Sequence, residues 1–416
     1  MESWNMGLLF SNKFFFFTSC SSFFNQFGSA IYNLVFVIYV ANVYQSPLLV
    51  GLANVTMVVP YIFQIWIAKK ADEVRQRRKQ LLWMPILQVI CFLAVALFSL
   101  QTSLVSFVAI CLLNILSDCM SQYTSGMFLP VMKHAFKEEE LMEVYSFRSV
   151  VSYVSQFAGQ SFGLALLTLT NNAYWLIAVI NALSFLFGFL LWLPVQSFFD
   201  LEVSFDVNIP LRKQLKEMYN ASKKALSVEK DQAFLQIMGL IVLGNVIGSG
   251  LVTVFTISFL EHMLYGLDYG ESVFVLEITM LIGAILAGLF SHDYFAQRSF
   301  KDLIVLQLVL QLVIVVLSLV GLDFLWILPV FALDCYVVGK FNPKFQATLT
   351  ARVPSELLAQ VSSFLSFIVT ISIPVGTALF GVLTVLNRRI LWIILLLVLS
   401  LALVRIRSLA LTSNEI

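Results

Sequence analysis

Charge is what this sequence has least of. Lys, Arg, Asp and Glu make up 12% of its 416 residues, about half the share in a soluble globular chain, while 60% of the residues are hydrophobic. A mean hydropathy of +0.91 excludes an ordinary soluble domain and implies an integral membrane protein. The net charge of +1 and pI near 7.6 give no global basic field, so nucleic acid is not an expected partner. Histidine and cysteine are scarce as well. Cys20, Cys91, Cys111, Cys119 and Cys335 lie inside apolar runs with no C-x-x-C spacing, which argues against a disulfide framework or a thiolate metal site. His134, His262 and His292 are scattered. No metal and no cofactor are therefore expected. The chain also lacks a G-x-x-x-x-G-K-[ST] loop, which excludes a phosphate-loop ATP-driven pump. No nucleophile cluster suggests an enzyme.

What the sequence has is apolar length. A helix needs about 20 mainly apolar residues to cross a bilayer, and twelve segments qualify, at 14–41, 47–68, 81–100, 103–127, 148–170, 174–195, 233–260, 270–291, 303–320, 323–341, 357–385 and 390–408. The first runs on to Ala41 without a small-residue cleavage pattern, so it reads as a retained span rather than a leader. With both termini on the cytoplasmic side, every Lys and Arg except Arg388 and Arg389 is assigned to the cytoplasmic side, the bias that orients membrane proteins. Residues 69–79 hold six of these basic residues, with Asp72 and Glu73 among them. Residues 196–232 are the one long polar stretch. There, Met218, Tyr219, Ala225 and Leu226 form an apolar stripe opposite Lys and Arg, as in a helix lying on a membrane surface. The organisation expected is a six-span half at 1–195, an amphipathic cytoplasmic linker at 196–232, and a second six-span half at 233–416.

Internal repetition supports the two halves. Asp293 stands five residues before Arg298, as Asp72 stands five before Arg77. A shift of 217 aligns Glu139 with Glu356, Leu141 with Leu358, Ser146 with Ser363 and Phe147 with Phe364. Repeats of half a chain with the same topology are a mark of two-bundle transporters.

The segment AKKADEVRQRRKQL resembles the loop between spans 2 and 3 of the major facilitator superfamily, whose pattern is about G-x-x-x-D-R-x-x-x-R-K/R. Asp72, Arg77 and Arg78 match, whereas Ala68 and Glu73 depart from it. QFAGQSFGLALL (156–167) is similar to the glycine-rich motif G-P-x-x-G-G of the antiporters, with Gly159 and Gly163 in place; small residues four apart equally serve plain helix packing. Residues 342–383 resemble the drug-efflux branch that includes the macrolide exporters. The resemblance implies an all-α polytopic membrane protein, with twelve helices in two pseudo-symmetric six-helix bundles. It also implies a cytoplasmic gate built on Asp72, Arg77, Arg78, Asp293 and Arg298, and proton-coupled efflux of amphiphilic compounds, including macrolides and other drugs, by antiport. Such a protein would act as a monomer in a bacterial cell membrane, with a small amphiphilic substrate, protons and the lipid bilayer as its partners.

Carboxylates within spans are costly and mark function. Asp118 in span 4 and Asp334 in span 10 are the candidates for proton coupling or substrate contact, with Glu277 of span 8 nearer an interface. A pocket is expected from Asn25, Gln26, Tyr32 and Asn33 in span 1, Gln122 in span 4, Gln156 in span 5 and Asn245 in span 7. Amides and aromatics with few charges suit a bulky, cationic amphiphile. Uptake or flipping of a nutrient or lysophospholipid-like solute is the alternative within transport, and a non-transporting membrane sensor the alternative outside it.

Overall fold

The computed structural model describes residues 12–201, 211–226, 231–259, 264, 266, 267, 269–290 and 293–407. Parts of the expected linker, at 202–210 and 227–230, lie outside these, as do His262 and His292. Among the described residues the secondary structure is all helical. The helices are α1 (Lys13–Tyr44), α2 (Pro47–Ile62), α3 (Gln64–Asp72), α4 (Arg77–Phe98), α5 (Leu104–Ala135), α6 (Glu138–Leu169) and α7 (Tyr174–Trp192), followed by a 3₁₀ turn at Leu193–Phe199. After them come α8 (Leu211–Ala225), α9 (Asp231–Ser258), α10 (Tyr269–Leu289), α11 (Phe300–Val320) and α12 (Phe324–Arg352). A last stretch of helix divides at a kink into α13 (Leu358–Thr384) and α14 (Leu386–Ile406).

Among the described residues, eleven helices are long and apolar enough to cross a membrane. The expected span at 47–68 is present as two shorter helices, α2 and α3. Pro60 has no N–H to give to Thr56 O, and the Thr56 hydroxyl turns back to Ala53 O at 2.7 Å. The helix breaks three residues later at Phe63, whose N–H turns to Pro60 O and Tyr61 O instead of the carbonyl four residues back. The other boundaries follow local chemistry. Asn12, Ser103, Ser299 and Asp323 cap α1, α5, α11 and α12 with side-chain oxygens. Gly321, with φ +76°, closes α11 in the left-handed conformation. Asn387 leaves helical geometry and caps Ile390 N–H at 3.1 Å, making the turn that carries Arg388 and Arg389.

Within the first half, α6 and α7 flank α1. Gly159 and Gly163 make the α1–α6 approach possible: a Cβ at 159 would sit 2.6 Å from Phe27 O, and one at 163 would lie 3.3 Å from Ile31. The helix α8 packs on the second half, where Met218, Ala225 and Leu226 join the core of α9–α14, and Arg352 donates to Ala225 O.

The two halves share an apolar core at one end, and along α6 the Phe157 ring also meets Phe274 of α10 at 6.1 Å. The apolar cluster around Phe14, Phe128, Met132 and Phe199 takes in Ala347 and Ala359 of the second half. At the opposite end the cluster of Tyr32, Phe36, Phe92 and Ile177 contains first-half residues alone. The shared end is the one that carries the basic 69–79 segment.

Gly159→Leu forces α6 off α1 and lowers stability by about 1–3 kcal/mol, seen as a lower melting temperature of the purified protein. Gly239→Ala, where a Cβ meets nothing within 4 Å, leaves the melting temperature unchanged or higher.

Candidate functional site

At the shared end, Asp72 closes the last turn of α3 with its side chain fully buried. Its two carboxylate oxygens accept the backbone N–H groups of Ala359 at 3.2 Å and Gln360 at 3.0 Å. Those are donors of the first turn of α13, which no intrahelical carbonyl can satisfy, and they form the positive end of the helix dipole. Around this bond the Tyr145 and Thr350 hydroxyls pair at 2.7 Å, and Lys133 donates to Val353 O. Gly126 lets Ala71 and Ala359 come close: a Cβ there would be 2.9 Å from one and 3.2 Å from the other. Every one of these contacts except the Gly126–Ala71 approach joins the two halves.

The basic residues of the same segment work differently. Arg77 is buried and donates to Met127 O of α5 at 2.6 Å, without an ion pair to Asp72. Arg78 reaches Asp200 and Gln196, both at 2.8 Å. These bonds stay inside the first half, tying α4 to α5 and to the turn after α7. Of the expected first-half gate residues, Asp72 alone bonds across the halves. Glu73, where the resembled pattern has arginine, is neutralised by Lys70 at 2.9 Å and Lys69 at 3.9 Å.

The sequence echo in the second half is not an echo in structure. Asp293 pairs with Lys340 of α12 at 3.1 Å and accepts from the Tyr336 hydroxyl, while Arg298 lies over the Tyr294 ring at 4.1 Å. Lys340, assigned by sequence to a cytoplasmic anchor, is buried at 1% exposure and also bonds Phe290 O. The difference has an electrostatic reason. The counterpart of the α13 N-terminus is that of α6, whose first turn holds Glu138, Glu139 and Glu140; a carboxylate approaching it would be repelled. α13 has no acid in its first turn.

Each half contains a cavity. The first, of about 420 Å³, lies among α1, α4, α5, α6 and α7 and brings together Asn25, Gln26 and Asp118. With them stand two residues that sequence reasoning missed, Gln88 and Arg148. Gln88 donates to Ser121 Oγ at 2.8 Å and Ser117 O at 3.2 Å. Phe128, Phe185 and Trp192 supply aromatic walls. The second cavity, of about 130 Å³, lies among α9, α11, α12 and α13 and gathers Asn245, Gln307, Asn342 and Gln346. Asn245 is partly committed there, donating to Ile241 O at 3.0 Å.

The remaining candidates are dispersed. Tyr32 packs into the core against Phe92, 4.7 Å between ring centres, away from the polar cavity. Asn33, Gln156 and Glu277 are exposed. Gln122 is partly buried on α5, its Oε1 without a partner, and does not line the cavity. Asp334 is buried at 5% exposure, its Oδ1 unpartnered and no basic group within 4 Å among the described residues. Among those residues no group of His, Cys, Asp and Glu could hold a metal ion.

Residues 18–377 match the family model described as Major Facilitator Superfamily. No curated protein matches the chain. Among solved structures, it is similar to a bacterial homologue of the iron transporter ferroportin in the outward-facing state. That match has TM-score 0.73 and 14% identity, covering 95% of this chain and 98% of the other. A proton:xylose symporter matches with TM-score 0.65 and 11% identity over 96% of each chain. A human organic anion transporter matches with TM-score 0.60 and 12% identity over 94% of this chain and 99% of the other.

Asp72→Asn keeps one acceptor and loses the charge, so it weakens the bond across the halves by about 0.5–2 kcal/mol, the range for a capping side chain. The variant folds. A cysteine introduced at Ser149 in a cysteine-free background then alkylates severalfold faster from the basic side; an unchanged rate contradicts the role given to Asp72.

Proposed function

The chain belongs to the major facilitator superfamily, and from that premise we propose that it is a secondary active transporter that exports amphiphilic, drug-like small molecules in exchange for protons. The observation that carries the reading is a polar cavity with aromatic walls inside a two-half molecule whose halves share a buried core and the Asp72 bond at one end. Opening the joined end while closing the other would expose a buried site alternately to the two sides of the membrane. The basic end is cytoplasmic on the charge rule, which makes the state described here outward-facing, with both termini inside. The halves at 1–195 and 233–416 rock as bodies, α8 lies at the cytoplasmic surface, and the protein works as a monomer in a bacterial cell membrane.

Asp334 is assigned the proton. It is a titratable group inside a span without a basic partner, on the helix that also carries Lys340, and gain or loss of its charge would change how α12 sits in its half. The binding role falls to Asn25, Gln26 and Asp118 in the first half, with Asn245 in the second.

Flux of a fluorescent cationic dye and of a macrolide in proteoliposomes, with and without an imposed pH gradient, tests the proposal. Gradient-driven movement that disappears in Asp334→Asn supports it. Movement that persists in the variant removes Asp334 from the coupling path. No movement of either compound by folded protein refutes drug export.

A further inference from the structure

Arg148 differs from Arg77, Arg78 and Lys340, three of the bonded cations described above. Arg77 and Arg78 are bonded to a carbonyl and to a carboxylate, and Lys340 to both kinds of group. Arg148 lies on α6 inside the first half, where its Nη1 is buried without a hydrogen-bond partner. No carboxylate comes within 4 Å of it among the described residues. Its guanidinium faces the Phe128 ring at 5.5 Å and lines the 420 Å³ cavity. Arg148 is partly buried, and among the described residues only the Phe128 ring offsets its charge, so an anion in the cavity would find a cation free to receive it.

The same cavity holds the opposite charge. Asp118 lines it from α5 and forms no ion pair among the described residues. The two do not neutralise each other because they stand apart along the helix. Ten residues separate Asp118 from Phe128, over which Arg148 sits, and at 1.5 Å per residue that is about 15 Å. Between them the cavity presents the Ser121, Thr124 and Ser125 hydroxyls of α5 and the Phe185 ring of α7.

The repeat shows that the charges are not part of the scaffold. Phe128 and Phe345, 217 residues apart, line the cavities of the two halves. The second-half cavity is lined by amides and has no charged residue, and the position 217 beyond Arg148 is Leu365, fully buried.

We infer that the first-half cavity recognises an elongated amphoteric molecule, its acidic group held by Arg148, its basic group by Asp118, and its chain lying between them along the Phe185 ring and the α5 hydroxyls. The guanidinium fork suits a carboxylate or phosphate, which it can meet with two parallel N–H donors. The inference names the substrate class of the site proposed above for transport and rests on that reading. It also corrects the expectation of a simple cationic ligand, since Arg148 would repel a second positive charge.

A matched set of two-ended ligands tests it by calorimetry on the purified full-length chain. The set is 12-aminododecanoate, 1,12-diaminododecane and dodecanedioate, with 6-aminohexanoate as the short control. The wild type binds 12-aminododecanoate at least about tenfold more tightly than the other three. Arg148→Gln weakens the amino acid and the diacid about tenfold and spares the diamine; Asp118→Asn weakens the amino acid and the diamine and spares the diacid. Arg148→Lys keeps the ranking at reduced affinity. Equal binding of the three long ligands by the wild type, no binding of any, or equal weakening of all three by Arg148→Gln overturns the inference. If the variants do not fold, the wild-type ranking decides. Flux of the same ligands in proteoliposomes is read separately: selective binding without flux keeps the recognition and refutes transport.

Discussion

One carboxylate satisfies what a helix end cannot satisfy for itself. The first N–H groups of α13 have no carbonyl behind them, and Asp72 of the other half supplies both oxygens. A bond of that kind is strong while it lasts and is lost as a unit, since a small rotation separates both oxygens from both donors at once. The surrounding contacts are of lesser kind: a hydroxyl pair, a lysine on a carbonyl, and small residues in van der Waals approach. Closure at this end is therefore concentrated at one place, where two packed bodies can part without either losing its own core.

The two halves share a plan and differ in where they place charge. In the first, the carboxylate at the end of span 2 faces the partner half, and Asp118 and Arg148 stand without an ion pair among the described residues. In the second, the corresponding carboxylate is held by Lys340 and Tyr336, and the inner cavity is lined with amides. Glu138, Glu139 and Glu140 at the start of α6 explain why the second carboxylate does not cross over. The proposed functional consequence is a division of labour, with the proposed lock and ligand charges on one side and the proposed proton site, Asp334, on the other.

The fold was legible because apolar length and the distribution of Lys and Arg are properties of the chain alone. The break at Phe63 was not, since Pro60 sits within an apolar run that continues past it. Asp118 stands out as a carboxylate inside a span and Asn25 and Gln26 as amides in span 1, and the three line one cavity. Arg148 and Lys340 do not stand out, because a basic residue near a span end reads as a loop anchor, and only the packing shows that these two point inward. Tyr32 and Asn33 illustrate the opposite error: adjacent residues on a helix point in different directions, and neither reaches the polar cavity. The Asp72 echo at Asp293 is a fact of sequence, and its partner is set by a lysine 47 residues away that no spacing rule links to it.

The most direct measurement is of distance at both ends of the molecule. Spin labels at Lys137 and Gln297 report the basic end, and labels at Gln101 and Leu322 the opposite end, in protein reconstituted with and without ligand and across pH. Alternation between two closed ends predicts that conditions lengthening the first distance shorten the second, and that Asp72→Asn moves the population in that direction. Distances that lengthen together, or a basic end that never opens, would contradict a molecule whose halves part at Asp72.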